Sequence, residues 1–358
     1  MMTDELFLAD TVSKIRPVDE LSRAACLRQW DQMGKPLHSL GKLETLWAQL
    51  AAIGRTLQPR IAKRALVVMC ADNGVVAEGV TQTGQEVTAI VAENFFDELT
   101  CTSILCQMNH CDRFIVDIGM VVDTPRTLRR KVAYGTKNMT KEPAMTRGEA
   151  LAAIRVGIEL AQELKAKGYQ LLATGEMGIG NTTTSSALTA VLLGQPVEAV
   201  TGRGAGLSDA GLERKIAAIR CAITCNAPDA ADPIDVLAKV GGFDLAGLAG
   251  VFLGGAAEGL PVVIDGFISL AAALLAVRIA PECVSYMIPS HESKEPAAKL
   301  LIEELGIAPG ICMDMCLGEG SGAVALLPFL DMTAEIYEKM GTFADIHVEA
   351  YEDYTEKG

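Results

Sequence analysis

Aromatic residues are scarce: Phe, Trp and Tyr together make up 5% of the chain. The core must therefore be filled by Ala, Leu, Val, Ile and Met, and with 34 Gly the composition suits close helix-on-sheet packing. Basic charge is also in short supply. The 31 Lys and Arg stand against 45 Asp and Glu, a formal net charge of −14. That excludes the basic face that nucleic acid or an anionic membrane requires. A phosphorylated small molecule is not excluded, because helix N-terminal amides with one Lys or Arg can hold a phosphate locally. No apolar run is long enough to span a bilayer. The longest, Phe267 to Val277, follows Asp265 and predicts a buried helix. Cys-x-x-Cys is missing as well. The pairs Cys221/Cys225 and Cys312/Cys316, and Cys111 beside His110, have no second pair at zinc-ligand spacing, so no metal site is expected. Cys70, Cys101, Cys106 and Cys312 lie in apolar runs and predict reduced core thiols of a cytoplasmic protein. Met1 to Lys14 carries acids early and lacks the basic-then-apolar pattern of a secretory signal.

What is present is ample apolar material. Half of the 358 residues are hydrophobic and 21% are charged. The length predicts one large domain with a small appendage. Residues 18–60 read as amphipathic helices joined near Gly34-Lys35-Pro36. A repeated grammar follows: a short apolar run, a glycine-rich polar turn, then a helix. The runs are Ala65–Cys70, Phe114–Val116, Gln170–Ala173, Pro261–Ile264, Tyr286–Ile288 and Ile311–Met315. Runs of this kind predict parallel strands buried on both faces. Helices are expected over 147–167, 181–193, 210–225, 243–258, 267–279 and 296–305, and another over 332–340. The expectation is an α/β fold with a parallel sheet flanked by helices, Rossmann-like and three-layered. Every cluster of Gly, Asp, Glu, Asn and His follows a strand. In open sheets the ligand crevice lies outside the carboxyl ends of the strands, so all six turns are expected at one site. The tail from Glu349 to Glu356 reads as a solvated acidic end.

Three glycine-rich stretches carry the chemistry. Gly175-Glu176-Met177-Gly178-Ile179-Gly180-Asn181-Thr182 has neither the Lys of a Walker loop nor a dinucleotide fingerprint. It predicts a ligand loop feeding a helix start; the plainer alternative is a helix capped by Asn181 or Thr182. Thr201 to Asp209, followed by Arg214 and Lys215, reads equally well as a phosphate loop or as an exposed loop with a solvated helix face. Leu317-Gly318-Glu319-Gly320-Ser321-Gly322 sets one carboxylate among glycines. Buried there, it would suit a general base; as a helix N-terminal acid it would simply favour the dipole. Thr83-Gly84-Gln85-Glu86 predicts a capping box, and Gln85 can also face a ligand.

Taken in order, these motifs resemble one family, the nicotinate-nucleotide–dimethylbenzimidazole phosphoribosyltransferases. The likeness rests on Asp72-Asn73-Gly74 to Val80, Gln85 to Thr88, Gly175 to Thr183, Thr201 to Leu207, Asp265 to Ser269, Ser290-His291-Glu292-Ser293 and Gly318 to Gly322, over roughly residues 20–330. The resemblance implies a large α/β domain over 31–330, a small helical domain from 1–30 and 331–358, and a homodimer. It implies transfer of phosphoribose from nicotinate mononucleotide to an aromatic base for cobamide synthesis, without a cofactor. Glu319 would be the general base. Glu176, Gly178, Gly180 and Asn181 would lie at the phosphoribosyl pocket, with Arg203, Gly204 and Lys215 near the phosphate. Asp265 and Ser293 would line the site. Thr81, Gln85 and Leu317 would meet the acceptor base.

The chain departs from the family pattern near the acceptor. Asp72-Asn73-Gly74 stands where Asp-His-Gly is usual, and Val80-Thr81-Gln82-Thr83-Gly84 where the family reads Val-Ser-x-Tyr-Pro. Loss of an aromatic ring and a Pro predicts an altered, more adaptable acceptor pocket. The alternatives are a phenolic or purine acceptor, with the chain alone or as one subunit of a pair, a non-catalytic nucleotide-binding partner, and a hydrolase with water as acceptor.

Overall fold

The computed structural model describes residues 2–352, so Met1 and the final stretch of the acidic tail, residues 353–358, lie outside it. Six strands form one sheet: β1 (Arg64–Ala71), β2 (Cys111–Gly119), β3 (Leu128–Arg129), β4 (Leu171–Met177), β5 (Val262–Ile264) and β6 (Met287–Pro289). Their order is β3-β2-β1-β4-β5-β6, and every pairing is parallel. From β1 the chain builds outward to β2 and β3, then returns to lay β4, β5 and β6 on the other side. The order therefore reverses between β1 and β4, which is where such sheets open a crevice.

All eight residues of β1 are buried. Met69 meets Gly247 of the helix Phe243–Ala257, whereas Leu66, three residues earlier and so on the opposite face, meets Gly320. Helices therefore cover both faces, giving three layers. The surplus of small residues has a structural use here: Gly250 lies so close to the helix Arg147–Ala166 that an added Cβ would stand 2.0 Å from Ile154 O. The apolar stretch after Asp265 is the helix Phe267–Ile279, buried from Phe267 through Ala276. Among the described residues no helix is long and apolar enough to cross a membrane.

Several expectations need correcting. Ile311–Met315 is not a strand. Ile311 makes a single bridge to His291, then Asp314 takes a left-handed φ of 53° and the run turns out over the surface. Cys312 and Met313 are exposed there, as is Cys101, so these two thiols are not in the core; Cys70 and Cys106 are. β2 and β4 run further than expected and absorb Asp117-Ile118-Gly119 and Gly175-Glu176-Met177, because the parallel ladder to β1 continues through them. β3 was not foreseen, being two residues long. The expected capping box is absent. The helix Glu86–Asn94 starts on a helical Gln85 with no side-chain cap. The helix expected over 332–340 is the last part of one helix, Ser321–Lys339, which continues through Pro328.

That helix runs from the glycines at 318–322 to the chain ends, across residue 330. There Met33 and Thr342 form an antiparallel bridge, the Phe343 amide donates to Gln32 O at 3.0 Å, and Trp30 packs edge-on against Tyr337 with ring centroids 4.9 Å apart.

Candidate active site

A cavity of about 370 Å³ opens at the carboxyl ends of β4, β5 and β6. Glu176, Gly178, Asn181, Gly204, Asp265, Ser293, Leu317 and Glu319 all line it. Not all six turns converge. The turn after β1 supports Gly180 from behind, where Asn73 Cβ and Val76 pack, and the segment after β2 is not among the lining residues.

Glu176 is an in-strand residue, paired in register with Met69, which is why it is fixed and buried. Its Oε2 accepts a short hydrogen bond from Asn181 Nδ2, and the same Nδ2 donates to Asp244 Oδ2 at 3.0 Å. One amide thus bridges two buried carboxyls. Burial, then the neighbouring Asp244, pushes Glu176 up to about 8; burial raises Asp244 to about 6. Glu176 is therefore mostly protonated near neutrality. Asn181 does not cap its helix. Gly180 occupies that position at φ 92° with no side-chain bond, so the side chain of Asn181 is free to face the strand end.

Glu319 sits at the rim on a left-handed φ of 61°, between Gly318 at 85° and Gly320 at 86°. That conformation is costly for a residue with a side chain and is held here by its surroundings. The Glu319 amide donates to Glu176 Oε1 at 3.3 Å. A Cβ on Gly175 would come within 2.7 Å of Glu319 O, and one on Gly318 within 2.6 Å of Glu176 Oε1. These two glycines are what let the two glutamates approach. Asp265 locks the segment from below. Its carboxylate accepts from the Gly320, Gly322 and Ala323 amides at 3.0, 2.7 and 3.0 Å. Burial, and then the Asp265 charge, hold the Glu319 carboxyl above its ordinary range.

The remaining candidates divide. Lys215 is buried beneath the loop, donating to Thr182 Oγ1 at 2.8 Å and Gly202 O at 3.1 Å. Arg203 instead closes its own exposed loop, bonding Leu207 O and Asp209. Thr81 donates to Thr83 O, and Gln85 Nε2 to Asn73 O at 3.2 Å; neither is among the lining residues. Thr83, Val87, Val91 and Leu317 also line the cavity. Val87 and Val91, four apart on a helix, were a legible signal that was missed. Asp244 was missed too, although an Asp directly after Gly241-Gly242-Phe243 in an apolar helix is conspicuous. Glu295 also lines the cavity and was not foreseen.

The family pattern described as Phosphoribosyltransferase matches residues 15–348. The chain is 47% identical over 344 residues to the nicotinate-nucleotide–dimethylbenzimidazole phosphoribosyltransferase of Ruminiclostridium cellulolyticum, covering 96% of this chain and 98% of that one. It is 48% identical to the enzyme of the same name from Acetivibrio thermocellus, over 91% of this chain and 93% of that one. The crystal structure of CobT from Thermus thermophilus superposes with a TM-score of 0.88 at 41% identity, covering 92% of this chain and all of that one. With the motifs, the sheet and the glycine-flanked glutamates in agreement, the chain belongs to the nicotinate-nucleotide–dimethylbenzimidazole phosphoribosyltransferase family.

Proposed function

We propose that this chain transfers the phosphoribosyl group of nicotinate mononucleotide to 5,6-dimethylbenzimidazole or a related aromatic base, giving an α-ribazole-type 5′-phosphate and nicotinate for cobamide assembly. The observation that carries the reading is Glu319, a partly buried carboxylate on left-handed backbone at the rim of the strand-end cavity. The donor is already activated, since nicotinate joined through its ring nitrogen leaves as a neutral ring with the electron pair of the broken bond. The acceptor is a poor nucleophile until its N–H proton departs. Glu319 takes that proton while the other ring nitrogen bonds to the ribose carbon from the face opposite nicotinate, turning a β donor into an α product. Positioning supplies the rest.

The donor lies along Glu176, Gly178, Asn181, Asp265 and Ser293, with its phosphate toward Gly204 and Lys215. Protonated Glu176 can donate a hydrogen bond to a ribose oxygen without a charge to repel the phosphate. The acceptor stacks toward Val87, Val91 and Leu317. Exposed Leu99, Ile104 and Met108 support a homodimer. The contacts between the chain ends support a small terminal helical unit, and the cytoplasm is the proposed location. Release of nicotinate, measured with and without a panel of bases, tests the reading: release that depends on the base supports it, and equal release in water alone makes the protein a hydrolase.

A further inference from the structure

Around the Nζ of Lys215 stand Thr182, from the helix Asn181–Leu193, Gly202 and Gly204 from the glycine loop, and Glu295 from the segment before Pro296. Both of its hydrogen bonds go to neutral oxygens. Burial pulls Lys215 down to about 8, and the charge that opposes this is Glu295. Near neutrality the cation is therefore retained by a narrow margin.

Glu295 is placed to widen that margin. It lines the cavity directly ahead of the helix Pro296–Leu305, and its Oε2 is buried with no hydrogen-bond partner. Burial raises the Glu295 carboxyl, and Lys215, then the Gly204 amide, draw it back toward ionisation. A Cβ on Gly202 would stand 1.9 Å from Glu295 Oε2, and one on Gly204 would stand 3.5 Å from Lys215 Nζ. The glycine loop thus lies against the carboxylate and the ammonium together, and position 202 has no room for a side chain. Gln82 holds the loop from elsewhere, its Nε2 donating to Ala205 O at 3.1 Å.

We propose that Glu295 is a positioning residue of the donor phosphate site, keeping Lys215 protonated and seating the 202–206 loop against it. This rests on the placement of the donor phosphate at Lys215 and that loop. Glu295 does not itself touch the phosphate, since two anions in contact would repel. It acts on donor capture and leaves proton removal at Glu319 unaffected.

The test reads Lys215 directly. In the full-length protein carrying 13C-labelled lysines, the Lys215 Cε resonance, assigned by its loss in Lys215→Met, is titrated in wild type and in Glu295→Gln. The midpoint is expected to fall from about 8 by roughly one pH unit in the variant. The KM for nicotinate mononucleotide should then rise at correspondingly lower pH, with kcat at saturating donor little changed. The nucleoside lacking the phosphate should be insensitive. A midpoint that does not move overturns the proposal. A midpoint that falls while the donor KM ignores it supports the role of Glu295 toward Lys215 and removes the phosphate from this loop. Should Glu295→Gln not fold, Glu295→Asp withdraws the same charge by one methylene and must lower the midpoint by a smaller amount; no movement there is equally fatal.

Discussion

The two walls of the cavity are built by different means. The wall proposed for the donor consists of strand ends and the helices that follow them. Glu176 belongs to β4, Asn181 and Asp244 lie in the first turns of helices, and Asp265 pins three amides at the start of a third. Each of these side chains is buried; Glu176 and Asp244 are bonded through Asn181, and Asp265 to backbone amides. The wall proposed for the acceptor joins half-buried Val87 and Val91, of the helix Glu86–Asn94, to exposed loop residues. Thr83 and Leu317 are exposed, the loop carrying Leu317 is held by backbone hydrogen bonds to residues 290–294 just beyond β6, and Gln85 is tied to Asn73 rather than to the cavity. A wall of bonded, buried groups holds one geometry. The exposed loop side chains on the other wall can move at little cost. In the proposed reaction the donor meets the rigid side and the base meets the adaptable one.

Glu319 joins the two walls, and removing its carboxylate should have the largest effect. Glu319→Gln keeps the backbone and the volume, so transfer should fall by about 100-fold or more with donor affinity nearly unchanged. Turnover close to wild type would take Glu319 out of the reaction. The next largest effect belongs to the donor wall alone. A donor without its 5′-phosphate should bind about 1–3 kcal/mol more weakly, the scale of lost charge-assisted hydrogen bonds. Calorimetry giving equal affinities for nucleoside and nucleotide would leave the rigid wall without its main anchor.

The acceptor wall should discriminate poorly. Rates with benzimidazole and its dimethyl form should lie within about tenfold, because a methyl in an apolar pocket contributes little selectivity. Thr83→Tyr with Gly84→Pro should sharpen the preference by restoring a ring and a stiff turn. The side chain nearest a Cβ at Gly84 is the flexible end of Glu86, which can swing aside. A native enzyme that already favours one base a thousandfold would show the outer wall to be as rigid as the inner one.

The smallest effect is on stability and again separates the walls. Folded Glu176 and Asp244 keep their protons to about 8 and about 6, whereas unfolded carboxyls release them near 4.5 and 3.8. Both pKa values are raised by folding, so their contribution is complete at acid pH. It is lost as pH rises through about 6 and then about 8. The melting temperature of the ligand-free protein should decline over that interval, and Glu176→Gln should flatten the upper part. Parallel profiles for the two proteins would mean that Glu176 is ionised in the fold.

Much of this was legible in the chain. Periodicity and composition determined the alternating strands and helices, the buried helix after Asp265 and the placement of glycine-rich turns at strand ends. A stretch such as Ala65–Cys70 has few ways to bury six apolar residues other than as a central strand. Glu319 and Glu176 stood out because a carboxylate among glycines is unusual on its own terms. The tertiary structure decided which polar side chains meet. Asp244 is 63 residues from Asn181 in the chain, and Glu295 is 80 from Lys215; sequence spacing carries no trace of either meeting. It also decided which way the candidates turn: Arg203 toward Asp209, Gln85 toward Asn73, and Ile311–Met315 out over the surface rather than into the sheet. Local pattern sets what an element can be, because backbone geometry and burial repeat over a few residues. The partners of a side chain depend on packing between elements far apart in the chain.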